Sequence, residues 1–385
     1  MMCKMSKREY LIELKKKYHK AKKKKKGQFL DDFCDFTGHN RKYAMDLLNQ
    51  PMKSKWTHPK NRPKIYDQVV IDALLRLWDA ADFICGERLH PYIPELLDCL
   101  VYCHEIVVSD EVKIKLLKIS LGTVKKILTH QKRKTHIKIK GTTKPGTLLK
   151  HQIAIRYGPW EEVDPGWCET DTVAHCNDDV SGEFIYSLNL IDISSGWSEQ
   201  GAIWGKGERA TVGQMDKLRT RLPFPLLGLD PDNGSEFINW HMHKYCKIKN
   251  ITLTRSRPYK KNDNAHIEQK NWTAVRQLVG YDRLEKREQL KILNDLYANS
   301  WRYYVNFFQP MMKLKEKIKD TKTGKIQKKY YEAKTPYRRL LEHPKISNKI
   351  KEMIQSEYNK LNPFKLKAEI KRKIAELRRT IKSDN

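Results

Sequence analysis

A chain of 385 residues is longer than one ordinary core requires and suits two or three domains. Its 76 Lys and Arg against 46 Asp and Glu give a formal net charge of +30, so polyanions attract it at long range, nucleic acid first and a membrane surface second. The opening MMCKMSKREYLIELKKKYHKAKKKKK lacks the apolar stretch of a secretory signal, and the absence of any run of about 18 apolar residues argues against a membrane span.

Residues 1–55 begin with a lysine-rich stretch that ends in Lys22 to Lys26, either a solvated helix face or a disordered arm able to grip phosphates. FLDDFCDFTGHNRKYAMDLLN then spaces Phe29, Leu30, Phe33 and Phe36 helically, breaks at Thr37-Gly38, and resumes at Tyr43, Ala44, Leu47 and Leu48. Helix, tight turn, helix is the prediction. A helix-turn-helix would set Arg41 and Lys42, at the start of the second helix, into a DNA groove, although a plain helical hairpin has the same pattern. Residues 56–134 form a second helical region, in which Val112, Leu116 and Ile119 precede a turn at Ser120 to Gly122. There Thr123 is the expected cap, and Lys125 and Lys126 are the candidate DNA contacts. A polar connector, residues 135–163 with Lys144-Pro145-Gly146, reads as a linker.

From residue 164 to 310 strands and helices alternate. CETDTVAH, GEFIYSLNLIDIS and GWSEQGAIW read as strands, followed by a helix from Glu208 to Leu222, the strand LLGLD, a helix near Ile238 to Lys247, the strand ITLTR, and a helix from Asn264 to Gly280. Three strands followed by helix, strand, helix, strand, helix predict a mixed α/β sheet. Both alternating sets of the second strand are largely apolar, as in a central strand covered on each face. Beyond Asp282 the chain turns helical, with Leu290, Leu293, Leu296 and Tyr297 before Trp301. Residues 311–385 form a basic extension. It holds two short extended pieces around Thr323-Gly324-Lys325 and one final helix from Ile350, with Ile370, Ile374 and Leu377 on one face. That helix suits a DNA-contacting tail, a partner helix or a soluble amphipathic end.

Eight scattered cysteines show no disulfide framework and imply reduced thiols in a cytosolic or nuclear compartment. Two groups, Cys99, Cys103 and His104, and His241, His243 and Cys246, lack paired zinc-ligand spacing and fall in helices, so structural zinc is not expected.

Cleaving a phosphodiester with two metal ions requires carboxylates converging from several elements, because hard cations take oxygen ligands. Asp171 lies inside the first strand, where a charge is costly unless paired or coordinated. Asp232 follows LLGLD in a tight turn at a strand's carboxyl end, where open α/β sheets bind ligands. Glu268 lies one turn into a helix, on the side that helical counting shares with Trp272, Val275 and Val279. Taken singly, each acid has an ordinary explanation as a loop, turn or helix-start residue. Asp230 rivals Asp232 at the same strand end, while Asp178, Asp179 and Asp192 fall to turns.

Asp171, Asp232 and, after 35 intervening residues, Glu268 resemble the D,D(35)E signature of the retroviral integrase and bacterial transposase superfamily. Trp167, IDISSGW, DPDNGSEF and RSRPYKKNDNAHIEQKNW are similar to segments of those catalytic cores, and the likeness spans residues 164–310. It implies an α/β, RNase H-like fold: a mixed five-stranded sheet flanked by helices, here with N-terminal all-α helix-turn-helix units and the basic C-terminal extension. It also implies a DDE transposase or integrase in which Asp171, Asp232 and Glu268 hold two Mg2+ ions, for which Mn2+ substitutes. Water would cut DNA at the element's ends, and the exposed 3'-hydroxyl would be transferred into target DNA with no covalent enzyme intermediate. Double-stranded DNA is the implied partner, a homodimer or higher oligomer the implied assembly, and the bacterial cytoplasm, at the nucleoid, the implied location. Where retroviral integrases place basic contacts after the Glu, this chain has Trp272 and Val275, and their HHCC zinc module is missing. Arg255, Arg257, Lys260, Lys261 and Arg276 are the phosphate-holding candidates instead. Two other readings stay open: an RNase H-like nuclease, and a domesticated, non-catalytic DNA-binding regulator.

Overall fold

Despite its lysines, the N-terminal stretch carries Tyr10, Leu11, Leu14 and Tyr18 at helical spacing, and in the computed structural model this stripe is the inner face of helix α1 (Lys4–Lys20). The structure describes residues 4–50, 65–132, 154–155, 164–231, 234–255, 267, 270–319 and 326–382. Helices α2 (Lys23–Thr37) and α3 (Arg41–Asn49) close on α1 around Leu14, Tyr18, Leu30, Phe33, Ala44 and Leu48. The lysine-rich segment is therefore a solvated helix face rather than an arm. Phe36, counted into the buried stripe above, is exposed. Gly38 ends α2 in the left-handed region at φ 73°, its N–H reaching the Cys34 carbonyl, and the Asn40 side chain accepts the Tyr43 N–H at 2.8 Å. Replacing Asn40 with Ala removes that acceptor, and amide-exchange protection across α3 is expected to fall about fivefold, the equivalent of about 1 kcal/mol.

Residues Met1–Ile65 form one compact unit and Tyr66–Asn385 another. The second opens with α4 (Gln68–Ala80), α5 (Gly86–Tyr102), α6 (Asp110–Lys118) and α7 (Leu121–Lys132), packed on Leu74, Leu77, Leu89, Ile93, Leu96, Leu116 and Val124. The turn between α6 and α7 departs from expectation: Ser120, not Thr123, caps α7, with its Oγ accepting the Thr123 N–H at 3.3 Å. Thr123 already lies inside the helix.

The sheet runs in the order β4-β3-β2-β5-β6-β1, from β4 (Ser198–Trp204), β3 (Ile185–Asp192), β2 (Trp167–Ala174), β5 (Gly228–Pro231), β6 (Thr252–Arg255) and β1 (Ala154–Ile155). The pairs β2–β3 and β3–β4 are antiparallel, whereas β2–β5 and β5–β6 are parallel. Three antiparallel strands followed by two parallel ones make an RNase H-like core of five strands. The sixth, β1, is a two-residue parallel addition to β6 from within the expected linker. One face of the sheet, through Cys168, Leu188, Leu190 and Leu229, packs on α8 (Glu208–Arg221) and α9 (Trp240–Ile248). Gly228, directly opposite Trp167 in the register, has no side chain and so leaves room for the indole ring.

The other face packs on two further helical stretches. α10 spans residues 271–279, a π-helical Asn271–Arg276 running into Gln277–Val279, and α11 spans residues 287–307, interrupted by the π-helical Tyr297–Trp301. Bonding from i to i+5 turns the chain through fewer degrees per residue than an α-helix. Counting at 3.6 residues per turn therefore misplaces Trp272, which is 40% exposed, while Ile267, Lys270, Ala274, Val275 and Val279 are buried.

The C-terminal extension contains an antiparallel hairpin, β7 (Leu314–Lys319) and β8 (Ile326–Tyr330), whose expected Thr-Gly-Lys turn lies outside the described residues. The single helix expected from Ile350 is two, α13 (Asn348–Tyr358) and α14 (Pro363–Lys382), preceded by α12 (Pro336–Glu342). The break falls at Asn362, whose side chain accepts the Phe364 N–H at 2.9 Å ahead of a helix that starts on Pro363. Ile370 and Leu377 are buried in the same cluster as Leu293, Leu296 and Phe307. Tyr304 donates to the Ala80 carbonyl at 2.8 Å and Gln309 to that of Ala81 at 3.0 Å. The boundaries expected at 134 and 310 are thus crossed by packing, and α14 is a core element rather than a free tail.

Candidate active site

Strand β2 alternates its side chains between the two faces of the sheet, so Glu169 and Asp171 share the face that receives α10. Asp171 is half-buried. Its Oδ1 accepts the Thr172 N–H at 2.7 Å and its Oδ2 accepts the Asn271 amide at 2.6 Å. Asn271 in turn accepts from the Asn189 amide at 3.0 Å, and Asn189 accepts from that of Gln200 at 2.9 Å. A row of amides therefore runs from β4 across β3 to α10 and ends on the Asp171 carboxylate, so its orientation is set by the sheet.

Two residues earlier, Glu169 is fully buried and its Oε2 accepts the Ile267 N–H at 2.9 Å, a carboxylate bonded to a helical backbone N–H. Bonds from β2 thus fasten the chain at 267 and 271, on either side of 268 in sequence. On the other flank the β2–β5 register ends at Thr170 opposite Pro231, the residue before Asp171 and the residue before Asp232. Asp232 and Glu268 themselves lie outside the described residues. Asp230, the rival, is buried with its Oδ1 accepting the Thr254 hydroxyl at 2.6 Å, a structural bond within the sheet.

Around this centre the ionisable groups are mostly committed to partners. Glu236 accepts from Thr172 at 2.7 Å and pairs with Lys206 at 3.0 Å; burial works to raise its carboxyl, but these two partners outweigh it and hold the carboxyl low. Asp192, expected in a turn, accepts from the Ser195 and Gly166 backbone N–H groups, and burial still pushes its carboxyl up to about 6. Asp179 likewise ties a turn through Ser181. Lys270 is buried on the helix, and burial together with the Arg88 charge pushes its ammonium down to about 7.

His175, just past the end of β2, belongs to a separate buried set, its Nε2 2.7 Å from the Ser187 hydroxyl, which is 2.8 Å from that of Tyr297. Burial, then the Arg276 charge, pushes the imidazole down to about 3. A histidine neutral in the folded state but titrating near 6.5 when unfolded stabilises fully above pH 6.5, and that contribution is lost as pH falls towards 3. The stability advantage of the wild type over His175→Gln is expected to shrink by about 1.4 kcal/mol per pH unit below about 6.5, in urea unfolding at pH 7, 6 and 5. Asp192 titrates with the opposite sign, but it is common to both proteins and cancels.

The expected DNA contacts separate into groups. Arg41, Lys42, Lys125 and Lys126 are exposed, Arg41 pairing with Asp31 and Lys125 with Glu87 at 2.6 Å. Arg257, Lys260 and Lys261 lie outside the described residues. Arg255 is buried at the end of β6, and Arg276 is half-buried with its guanidinium 4.8 Å from the centre of the Tyr281 ring. Arg255 belongs to the interior, whereas Arg276 is only partly covered. Asn271, Asn189, Gln200 and Glu169 were missed by reading the sequence for charge alone. Alternation along β2 and the three-residue step from 268 to 271 were the available signals.

Among the described residues no three His, Cys, Asp or Glu side chains form a group able to hold a metal ion, which includes both sulfur–imidazole clusters considered for zinc. Asp171, the acid of the expected set that is described, offers hard carboxylate oxygens at a half-buried position with their orientation fixed. That donor chemistry fits Mg2+. No helix among the described residues is long and apolar enough to cross a membrane.

No protein-family model matches the chain. Among solved structures, the catalytic core domain of BIV integrase is 16% identical and covers 50% of this chain and 98% of its own, with a TM-score of 0.31. A score this low carries no argument, and the strand order above stands without it. The uncharacterized protein y4rM of Sinorhizobium fredii is 34% identical over 338 residues, 87% of this chain and 95% of that protein. At that identity and coverage, the chain belongs to the family of the Sinorhizobium fredii protein y4rM.

Proposed function

We propose that the chain is a DDE-type polynucleotidyl transferase, a DNA transposase or integrase acting on double-stranded DNA. The observation that carries this reading is the attachment of three segments to one strand. β2 bears Asp171, its register with β5 ends one residue before each of Asp171 and Asp232, and its bonds reach the chain at 267 and 271 around position 268. The described residues beside all three positions, Thr172 next to Asp171, Pro231 before 232 and Ile267 before 268, are thus tied to a common strand, which supports this reading.

In this reading Asp171, Asp232 and Glu268 hold two Mg2+ ions, with Mn2+ as a substitute. The bound ions lower the barrier to attack by water or a 3'-hydroxyl and neutralise charge on the phosphate. The chain's own residues do the positioning. Asn271 and the Thr172 N–H hold the Asp171 carboxylate, while Glu169 secures the backbone at Ile267. The exposed basic residues of the α2–α3 and α6–α7 helix-turn-helix units, Arg41, Lys42, Lys125 and Lys126, contact the phosphates of element ends. Two copies of the chain hold the two ends, and the protein works at the bacterial nucleoid.

The test incubates the purified chain with the DNA flanking its gene and follows metal-dependent nicking at inverted repeats and joining of 3'-ends to a plasmid. Joining that requires Mg2+ or Mn2+ is expected. Cleavage confined to RNA–DNA hybrids would instead make it a ribonuclease, and protection of the repeats without any cleavage would make it a regulator.

A further inference from the structure

A cavity of about 2390 Å³ in the second unit, whose lining does not include Asp171, lies between α10, the β7–β8 hairpin and α14. Small-ligand pockets run to about 1,000 Å³, so this one is sized for a segment of polymer rather than a metabolite. Its walls are cationic after pairing is taken into account. Lys367 is bound to Asp79, Lys345 to Asp164 and Lys334 to Glu342, and these three bring no net charge. Lys328 on the hairpin, and Lys371 and Arg378 on α14, are exposed and have no carboxylate partner among the described residues, while Lys315 lies 5.6 Å from the centre of the Tyr331 ring and near the Glu316 carboxylate. Lys270 lines the same cavity although it is only 6% exposed; it too lacks a carboxylate partner among the described residues, and the cation Arg88 lies nearby. Tyr330 and Tyr331, 47% and 53% exposed, stand on the cavity wall beside these charges. Exposed rings interleaved with cations suit unstacked bases, since the bases of an intact duplex present no face to them.

We propose that the groove between the hairpin and α14 binds a single strand of DNA, with its phosphates on Lys371 and Arg378 and its bases stacked on Tyr330 and Tyr331. The inference rests on the DNA-acting reading above and adds a place for a strand separated from its complement next to the helix that follows Glu268.

The experiment measures binding of fluorescein-labelled oligo(dT), roughly a dozen nucleotides long, to the full chain by anisotropy in EDTA, so that catalysis plays no part. Tyr330→Ala with Tyr331→Ala is expected to weaken binding about tenfold or more, and Lys371→Glu with Arg378→Glu similarly. Lys371→Gln with Arg378→Gln should give an intermediate loss, which separates charge from folding. Lys349→Glu, an exposed lysine outside the groove, should change affinity less than about twofold. An oligonucleotide carrying 5-iodouracil should photo-crosslink to Tyr330 or Tyr331, located by mass spectrometry. Losses no greater than that of Lys349→Glu, or crosslinks confined to other segments, overturn the proposal. So does equal retention of an intact duplex in the groove, or displacement of the oligonucleotide by millimolar inorganic phosphate, which assigns the cations to free phosphate. Because binding is read without metal, failure of the DDE reading shows in the joining assay and failure of the groove shows here.

Discussion

Asp171→Asn is expected to lower metal-dependent strand joining about a thousandfold or more, because a ligand's loss removes several kcal/mol of charge stabilisation at the reacting phosphate. Binding of end DNA should change by less than about twofold, since the carboxylate lies in the sheet and not among the exposed basic residues. Asn271→Ala should act through Asp171 and cost about 10- to 100-fold, with part of the loss recovered at higher Mg2+ because the carboxylate is misoriented rather than absent. The measurement is single-turnover joining over a Mg2+ titration, alongside anisotropy for DNA binding. An Asp171→Asn chain that joins DNA at the wild-type rate would take Asp171 out of the metal set.

The largest stability effect is expected on the opposite flank of the sheet. Glu199 on β4 is fully buried, accepts the Trp197 indole N–H at 3.0 Å, and pairs with Arg302 of α11 at 3.1 Å. Arg302 also donates to the Arg221 carbonyl at 2.7 Å, which ties α8 to the same pair. Burial raises the Glu199 carboxyl, and the Arg302 guanidinium opposes that rise. Arg302→Met leaves the carboxylate buried without its ion-pair partner, with only the weaker influence of the Arg221 guanidinium remaining, and urea unfolding should show a loss of about 3 kcal/mol. Adding Glu199→Gln should recover a large part of it, because the uncompensated charge, rather than the missing contacts, dominates. If the double variant is as unstable as the single one, lost packing of the Arg302 stem, and not the bare carboxylate, causes most of the destabilisation.

Much of the molecule could be read directly from its residues. The strands of the sheet announce themselves because β-alternation and apolar runs are local properties: β3 is largely apolar on both sets, with Ser187 and Asn189 interrupting one of them, and both of its faces are covered. The helix pairs α2–α3 and α6–α7 announce themselves through turn chemistry at Gly38 and Ser120. The three acids were picked out through the resemblance of their spacing and neighbouring motifs to a known family, and Asp171 lies on β2, in the middle of the five-stranded core.

What the sequence could not decide depends on contacts between distant residues. The amide row from Gln200 to Asp171 joins residues on three strands and a helix, and no local pattern distinguishes Asn189 or Asn271 from surface amides. The face of α10 depends on a π turn, which bonding decides and 3.6-residue counting cannot show, so Trp272 was assigned to the wrong side. Burial places Arg255, a candidate phosphate contact, in the interior and leaves Arg276 half-covered against Tyr281, because the covering elements come from elsewhere in the chain. The helix α14 looks like a free basic tail until its apolar face is seen against α11, at which point its outward Lys371 and Arg378 become one wall of a groove. Local propensity and spacing named the sheet and the acids; tertiary packing decided which charges stay in the solvent, because exposure is a property of the neighbours a residue acquires on folding.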